Sequence, residues 1–270
     1  MKEINSKSNQ SYKLFQKLNT KKYRDKLGLY LIEGENLLEE AFKNGAEVDS
    51  ILIRDDEKNL VRPWMEESRV FVVEKKLFKE LAQTETSQGV MAAVKKPELS
   101  LDKFYEDEDF VVNGSHNDLQ GNLVILDRLQ DPGNIGTIIR TADAAGYGLI
   151  ISMKGTADIF APKVVRSAAG SLFRMNIAIA ETEEELIRFI RAAGKKLVAA
   201  CPVGSRYYYE EDISRNVALI VGNEGNGISD SLIEKSDLKV NIPMSGNIES
   251  LNVSAAAAIL MYEAVRGKQC

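Results

Sequence analysis

The sequence predicts an α/β protein of two domains, the second built on a parallel sheet with helices on both faces. Three observations carry this expectation. Short apolar runs alternate with helical stretches through most of the 270 residues, the pattern left by parallel strands and their crossover helices. The segment Glu98 to Asp118 holds seven acidic residues against Lys103 alone and divides the chain. After it, the apolar strand Val217 to Val221 ends in a glycine-rich turn, as strands that present a site do. The expected boundaries are 1–96, a linker over 97–120, and 121–270.

The first 30 residues carry eight basic side chains against Glu3 and Asp25, although the whole chain has a formal charge of -5. Lys13, Lys17 and Lys21 recur every four residues, the spacing of one helix face, with Tyr12, Leu14, Phe15 and Leu18 left to pack. Such a face follows a phosphate backbone or is simply solvated. Strands are expected over Leu29 to Ile32, Ser50 to Ile53, Val70 to Val73 and Val90 to Val94. Helices are expected over Glu35 to Asn44, stopped by Gly45, and over Lys75 to Ala82.

Past the linker, Leu123 to Leu126 reads as a strand, and Pro132-Gly133 marks a turn. Asn134 is placed to cap a helix from Ile135 to Ala145. Gly136 and Arg140 share a face of that helix, so a close approach is possible one turn below a guanidinium. An arginine among Ile138, Ile139 and Ala142 can equally snorkel to the surface. A strand over Gly148 to Ile151, a helix over Glu183 to Ala193 capped by Thr182, and a strand over Lys196 to Ala200 follow. The last fifty residues give the strand Val217 to Val221, the turn Gly222-Asn223-Glu224-Gly225-Asn226-Gly227, a strand Leu238 to Ile242, the loop from Pro243 to Asn252 and an alanine-rich helix. The glycines run G-x-x-G-x-G, which is not the dinucleotide order G-x-G-x-x-G. The turn either brings main-chain groups against a ligand or only reverses the chain between two strands.

Composition excludes several classes. Two cysteines, Cys201 and Cys270, and one histidine, His116, offer no metal-ligand spacing, no disulfide framework and no serine-type triad. No apolar run approaches the ~20 residues that span a bilayer. A metal-free cytoplasmic protein is expected.

Three blocks together carry a resemblance. Asn134-Ile135-Gly136-Thr137-Ile138-Ile139-Arg140-Thr141-Ala142, then Gly222 to Gly227, then Ile242-Pro243-Met244 with Ser250-Leu251-Asn252-Val253-Ser254 resemble, in order, the three motifs of the SpoU/TrmH RNA 2′-O-ribose methyltransferases. Lys17-Leu18, Tyr23-Arg24 and Leu31-Ile32-Glu33-Gly34 are similar to the substrate-binding domain of members that modify ribosomal RNA.

The resemblance implies a SPOUT fold with a deep trefoil knot, S-adenosyl-L-methionine as methyl donor, an RNA substrate and a homodimer with active sites near its interface. By position it assigns Gly222, Gly227, Ile242 and Leu251 to the donor, with Ile220, Pro243 and Met244 shaping the pocket. It places Asn134, Arg140, Glu224, Ser250 and Asn252 around the reacting ribose, and the basic arm with Lys13, Lys17, Lys21, Lys22 and Arg24 is the stretch expected on the RNA. Ribosomal RNA is the expected substrate because of the extra domain. Transfer RNA, or a silent RNA-binding protein on the same fold, are the alternatives.

Overall fold

The computed structural model describes residues 2–60, 69–84, 86–104, 121–201, 206–246 and 250–266. The acidic stretch beyond Phe104 with His116, the tripeptide Asn247 to Glu249, and Cys270 lie outside the described residues. The chain forms two compact units, Met1–Pro97 with Asp158–Arg174, and Glu98–Ala157 with Met175–Cys270. The expected boundaries are therefore interrupted, since 158–174 sits inside the second range by sequence and packs with the first unit.

Strands are numbered in chain order. The first unit holds β1 (Lys2–Ile4), β2 (Leu29–Glu33), β3 (Val48–Arg54), β4 (Arg69–Val73) and β5 (Val90–Lys95). They form one mixed sheet in the order β1-β4-β3-β5-β2, in which β5 runs antiparallel to both β3 and β2. β1 lies in what reads as a basic arm; Ile4 is fully buried and β1 extends the sheet beside β4. The helices Gln10–Leu18 and Lys75–Leu81 bury Tyr12, Phe15, Leu18, Leu77 and Phe78 in the core beneath one face. Asn9 caps the first of these by accepting from the N–H groups of Ser11 and Tyr12.

The expected run of lysines on one helix does not form. Gln10–Leu18 ends at Asn19, Thr20 is extended, and Lys21 opens a second helix, Lys21–Leu27. Lys21 therefore leaves the row of Lys13 and Lys17. The helix Pro162–Ala168 packs against β2. Beside it, Arg24 donates to Asp158 from Nε at 2.8 Å and from Nη2 at 2.6 Å.

The second unit holds β6 (Leu123–Asp127), β7 (Leu149–Met153), β8 (Asn176–Ala180), β9 (Lys196–Ala200), β10 (Arg206–Tyr207), β11 (Val217–Gly222) and β12 (Leu238–Asn241). Their order is β10-β12-β9-β11-β6-β7-β8, and all six pairings are parallel. The chain lays β6, β7 and β8 outward, returns to place β9 on the other side, and then inserts β11 between β9 and β6. β11 is covered on both faces and is continuously apolar, with Val217 to Val221 no more than 2% exposed. The direction of winding reverses at β6 and β11, and in open parallel sheets the crevice at the carboxyl ends beside such a reversal is where ligands bind. Both the Pro132–Ala144 helix and the glycine turn start from that edge.

Candidate active site

The turn after β11 is built by its own side chains. Asn223 and Gly227 exchange backbone hydrogen bonds at 3.0 and 2.9 Å. The Asn223 Oδ1 accepts from the N–H groups of Gly225 and Asn226, both at 3.0 Å, while its Nδ2 donates to the Arg128 carbonyl at 2.8 Å. Gly222 is required by this fold-back. A Cβ there would meet the Gly227 carbonyl carbon and the Ile228 nitrogen at 2.2 Å. Its bareness admits the protein's own chain first, and only the rest of the turn is free to face a ligand.

At the tip, Glu224 binds the start of the Pro132–Ala144 helix. Its carboxylate accepts from the N–H groups of Gln130 and Asp131, both at 3.0 Å, and from Asn134 Nδ2 at 3.1 Å. Burial pushes this carboxyl up, but the bonds from Gln130, Asn134 and Asp131 outweigh it and hold the group below the usual glutamate range. Glu224 is thus a committed anion that anchors the turn to the helix and is a weaker base than a free carboxylate.

The helix cap is Asp131, with Pro132 in the first helical position; Asp131 accepts from the Asn134 N–H at 2.9 Å. This corrects the expectation that Asn134 caps the helix. With that task taken, the Asn134 carboxamide bridges two loops: it donates to Glu224 and accepts from Asn252 Nδ2 at 3.0 Å. Asn252 in turn caps the final helix, Val253–Arg266, accepting from the Ser254 N–H and hydroxyl at 2.9 and 2.6 Å. Glu224, Asn134 and Asn252, expected from three separate stretches, form one hydrogen-bonded chain.

Arg140 lies two turns into the same helix, is exposed, and has no hydrogen bond or ion pair among the described residues. Ile220 is buried within β11, and Ile242 is half-buried at the end of β12. Met244 and Leu251 are 37% and 38% exposed, large apolar side chains left open on the loops that frame the site. Pro243 and Ser250 are exposed on the same loops, and Gly227 takes a positive φ of 69°.

Residues 121–262 match the SpoU rRNA Methylase family, and residues 9–92 match the MRM3-like substrate binding domain. The chain belongs to the SpoU rRNA methylase family. Among relatives of this SpoU chain, "23S rRNA (guanosine(2553)-2′-O)-methyltransferase RlmP" of Bacillus subtilis is 38% identical over 97% of this chain and 98% of its own length. The "23S rRNA (uridine(2479)-2′-O)-methyltransferase" of Streptomyces viridochromogenes is 33% identical over 92% and 86%. The solved AdoMet-bound rRNA methyltransferase of Sinorhizobium meliloti superposes with a TM-score of 0.85 at 32% identity, covering 98% of both chains. The second unit is accordingly a SPOUT methyltransferase fold.

The SpoU site fits the donor that the resemblance implies, because a strand end and a glycine turn lie at the carboxyl edge of the sheet and the apolar side chains of Met244 and Leu251 are left exposed on the neighbouring motif loops. Among the described residues no group of three histidine, cysteine, aspartate or glutamate side chains is placed to hold a metal ion. In the first unit Lys13, Lys17, Lys21 and Lys22 are exposed. Arg24 is not with them: it is 4% exposed, paired with Asp158, and donates from Nη1 to the Leu18 carbonyl at 2.8 Å. It locks the packing of its unit, which corrects its place among the RNA-contacting residues.

Sequence reasoning missed three contributors: Asn223, Asp131 and Asp127. Asp-Pro at the start of a helix is a legible cap signal. Asp127, 2% exposed, accepts from the Ser229 N–H at 2.8 Å and from Arg128 Nε at 2.8 Å, fixing the far end of the turn; as the last polar residue of an apolar strand it gave only a weak signal.

Proposed function

We propose that this SpoU chain is an S-adenosyl-L-methionine-dependent methyltransferase that modifies a ribose 2′-hydroxyl in ribosomal RNA. The observation that carries the reading is the chain of bonds Glu224–Asn134–Asn252, which ties the three motif loops together at the carboxyl edge of the sheet, with an exposed Arg140 on the same helix that has no side-chain partner among the described residues. Support for the substrate comes from the names of relatives that match nearly the whole chain, both acting on 23S ribosomal RNA. The donor supplies an electrophilic methyl group on a sulfonium that leaves as a neutral thioether. Main chain of the turn and of the 242–244 loop, with Ile220, Ile242, Met244 and Leu251, would hold it.

The chain's own residues supply alignment and charge. Asn134 and Asn252, fixed by each other and by Glu224, set the position of the ribose, and alignment alone accounts for several kcal/mol of barrier. Ser250 borders the same space. A guanidinium is a poor base with five donors and no acceptor, so Arg140 acts as a cation: it stabilises the alkoxide that develops on the 2′-oxygen and grips the adjacent phosphate. Glu224 is spent on three hydrogen bonds, which leaves proton removal to water or a phosphate oxygen.

The Val253–Arg266 helix packs on the Pro132–Ala144 helix, the arrangement expected where a C-terminal segment threads into a trefoil knot. Ala255, Ile259, Tyr262 and Arg266 form an exposed line along it, with Ile259 37% and Tyr262 49% exposed. A second copy covers that line, making a homodimer with Arg140 near its seam. Lys13, Lys17, Lys21 and Lys22 track the RNA backbone. No described helix is long and apolar enough to cross a membrane, and the protein works in the cytoplasm, where ribosomal RNA is found.

The test is transfer of labelled methyl from S-adenosylmethionine to a 23S ribosomal RNA transcript, with the modified position mapped by resistance to alkaline cleavage. Labelling of one 2′-oxygen is expected. Labelling of transfer RNA only, or of no RNA, overturns the reading.

A further inference from the structure

The second unit carries an aromatic surface that the reaction centre does not use. Three of the chain's nine tyrosines are consecutive, Tyr207-Tyr208-Tyr209. Tyr207 and Tyr209 stack with ring centroids 5.4 Å apart and an interplanar angle of 22°, and Tyr208 meets Tyr209 edge-on at 5.3 Å. Hydrophobic burial does not explain them, since Tyr207 is 42% and Tyr209 50% exposed.

Their geometry is held by the backbone. β10 is the edge strand, and Tyr207 pairs in register with Asn241, the last residue of β12. The short helical turn Tyr208–Glu210 follows at once and is closed by Glu210, which accepts from the Tyr207 N–H at 3.2 Å. Arg206 is paired with Glu211 at 2.8 Å, and Asp212 accepts from the Ser214 hydroxyl at 2.6 Å. The rings therefore stand at the carboxyl edge of the sheet, one residue in register before the Ile242-Pro243-Met244 loop.

We propose that Tyr207 and Tyr209 form a stacking platform for an unpaired base of the substrate RNA, a near neighbour of the methylated nucleotide. The proposal rests on the reading of the protein as an RNA methyltransferase. Reaching a 2′-oxygen in line requires the nucleotide to leave its helical stack, and unpaired bases are taken up on aromatic side chains. β10 is three strands from β11, roughly 14 Å at the usual spacing, which places the platform beside the reacting sugar and not on it. The acidic neighbours Glu210, Glu211 and Asp212 disfavour a phosphate against the rings, so the surface takes the uncharged face of a base while the backbone runs on the side away from them.

The experiment uses the full chain, a 23S ribosomal RNA transcript and S-adenosylmethionine, comparing wild type with Tyr207→Ala/Tyr209→Ala and Tyr207→Phe/Tyr209→Phe. The alanine pair is expected to raise KM for the transcript roughly tenfold, the usual scale for one stacked base. Its affinity for S-adenosylmethionine, its melting temperature and its oligomeric state should not change. The phenylalanine pair keeps the ring faces and should restore KM. An unchanged KM for RNA, a weakened hold on S-adenosylmethionine (the platform would then serve the donor's purine), or a change in oligomeric state (it would then serve a second copy) each overturns the proposal. Absence of methyl transfer by wild type overturns the functional reading itself and is told apart by that control.

Discussion

Two arginines, one in each unit, occupy opposite kinds of environment. Arg24 is buried, bonded through Nε and Nη2 to Asp158 and through Nη1 to the Leu18 carbonyl. Arg140 is exposed and has no partner among the described residues. In the sequence Arg24 lies in a basic stretch and Arg140 among apolar residues, and both resemble family positions. A guanidinium whose hydrogen-bonding capacity is used within the protein holds structure, whereas one left open has its donors available for a substrate. The same contrast separates Glu224, whose oxygens are committed to the helix start, from the residues free to touch the ribose.

The contrast is broken most directly at Arg24. Arg24→Ala leaves Asp158 as a buried, unpaired carboxylate and is expected to cost about 3–5 kcal/mol of stability, read as a fall in the denaturation midpoint. The double change Arg24→Met/Asp158→Leu removes both charges and should recover most of that loss. If Arg24→Ala left stability intact and weakened only RNA binding, the assignment of Arg24 to structure would be wrong. Arg140→Ala should do the reverse: a fall in methyl transfer of roughly 10²–10³-fold, the scale of losing one donor to developing negative charge, with an unchanged melting curve. Arg140→Lys keeps the charge but loses the planar fork, and full activity in that variant would refute a role for the fork.

These opposite outcomes show what was legible in the sequence. Strand and helix alternation located the central strands, because the apolar runs at Leu123, Val217 and the like are set by burial on both sheet faces, but it missed β1, β8, β10 and the helices Pro162–Ala168 and Asp230–Lys235. The three motif stretches were legible by resemblance, and Asn134, Glu224 and Asn252 meet in space. Burial of Arg24 was not legible, since its partner Asp158 is 134 residues away. The break in the basic arm was missed because a four-residue lysine spacing fits one helix, but extended Thr20 divides it. Asn134 was misread as a cap because Asp131, three residues earlier and followed by proline, was the better one.

Glu224 sharpens the comparison on a smaller scale. Glu224→Gln keeps one acceptor oxygen, so one of the Gln130 and Asp131 N–H groups loses its partner, at about 1 kcal/mol. Activity should fall with it, because the charged anchor of Asn134 becomes a neutral one. The pH dependence follows from the depressed carboxyl. The stabilisation is fully present above the unfolded value of 4.5 and is lost as pH falls through the lower folded value. Melting curves of wild type and Glu224→Gln should therefore converge in acid and separate toward neutrality. A pH-rate profile governed by Glu224 in the neutral range would instead identify it as the base.

The smallest effects belong to the exposed lysines, where the comparison with Arg24 is between residues on one short stretch of chain. Lys13 and Lys22 are solvated, and the Lys17 ammonium lies 5.5 Å from the Tyr23 ring centroid, a contact that costs little to give up. Lys13→Ala and Lys17→Ala should each leave the melting curve unchanged and weaken binding of the 23S transcript. The slope of log affinity against log salt should fall by about 1 for each lysine removed. The loss should be the same for unrelated transcripts, because phosphate contacts carry no sequence information. A slope that did not move in the double variant would place these lysines off the RNA and leave the substrate to be held by other surfaces of the first unit.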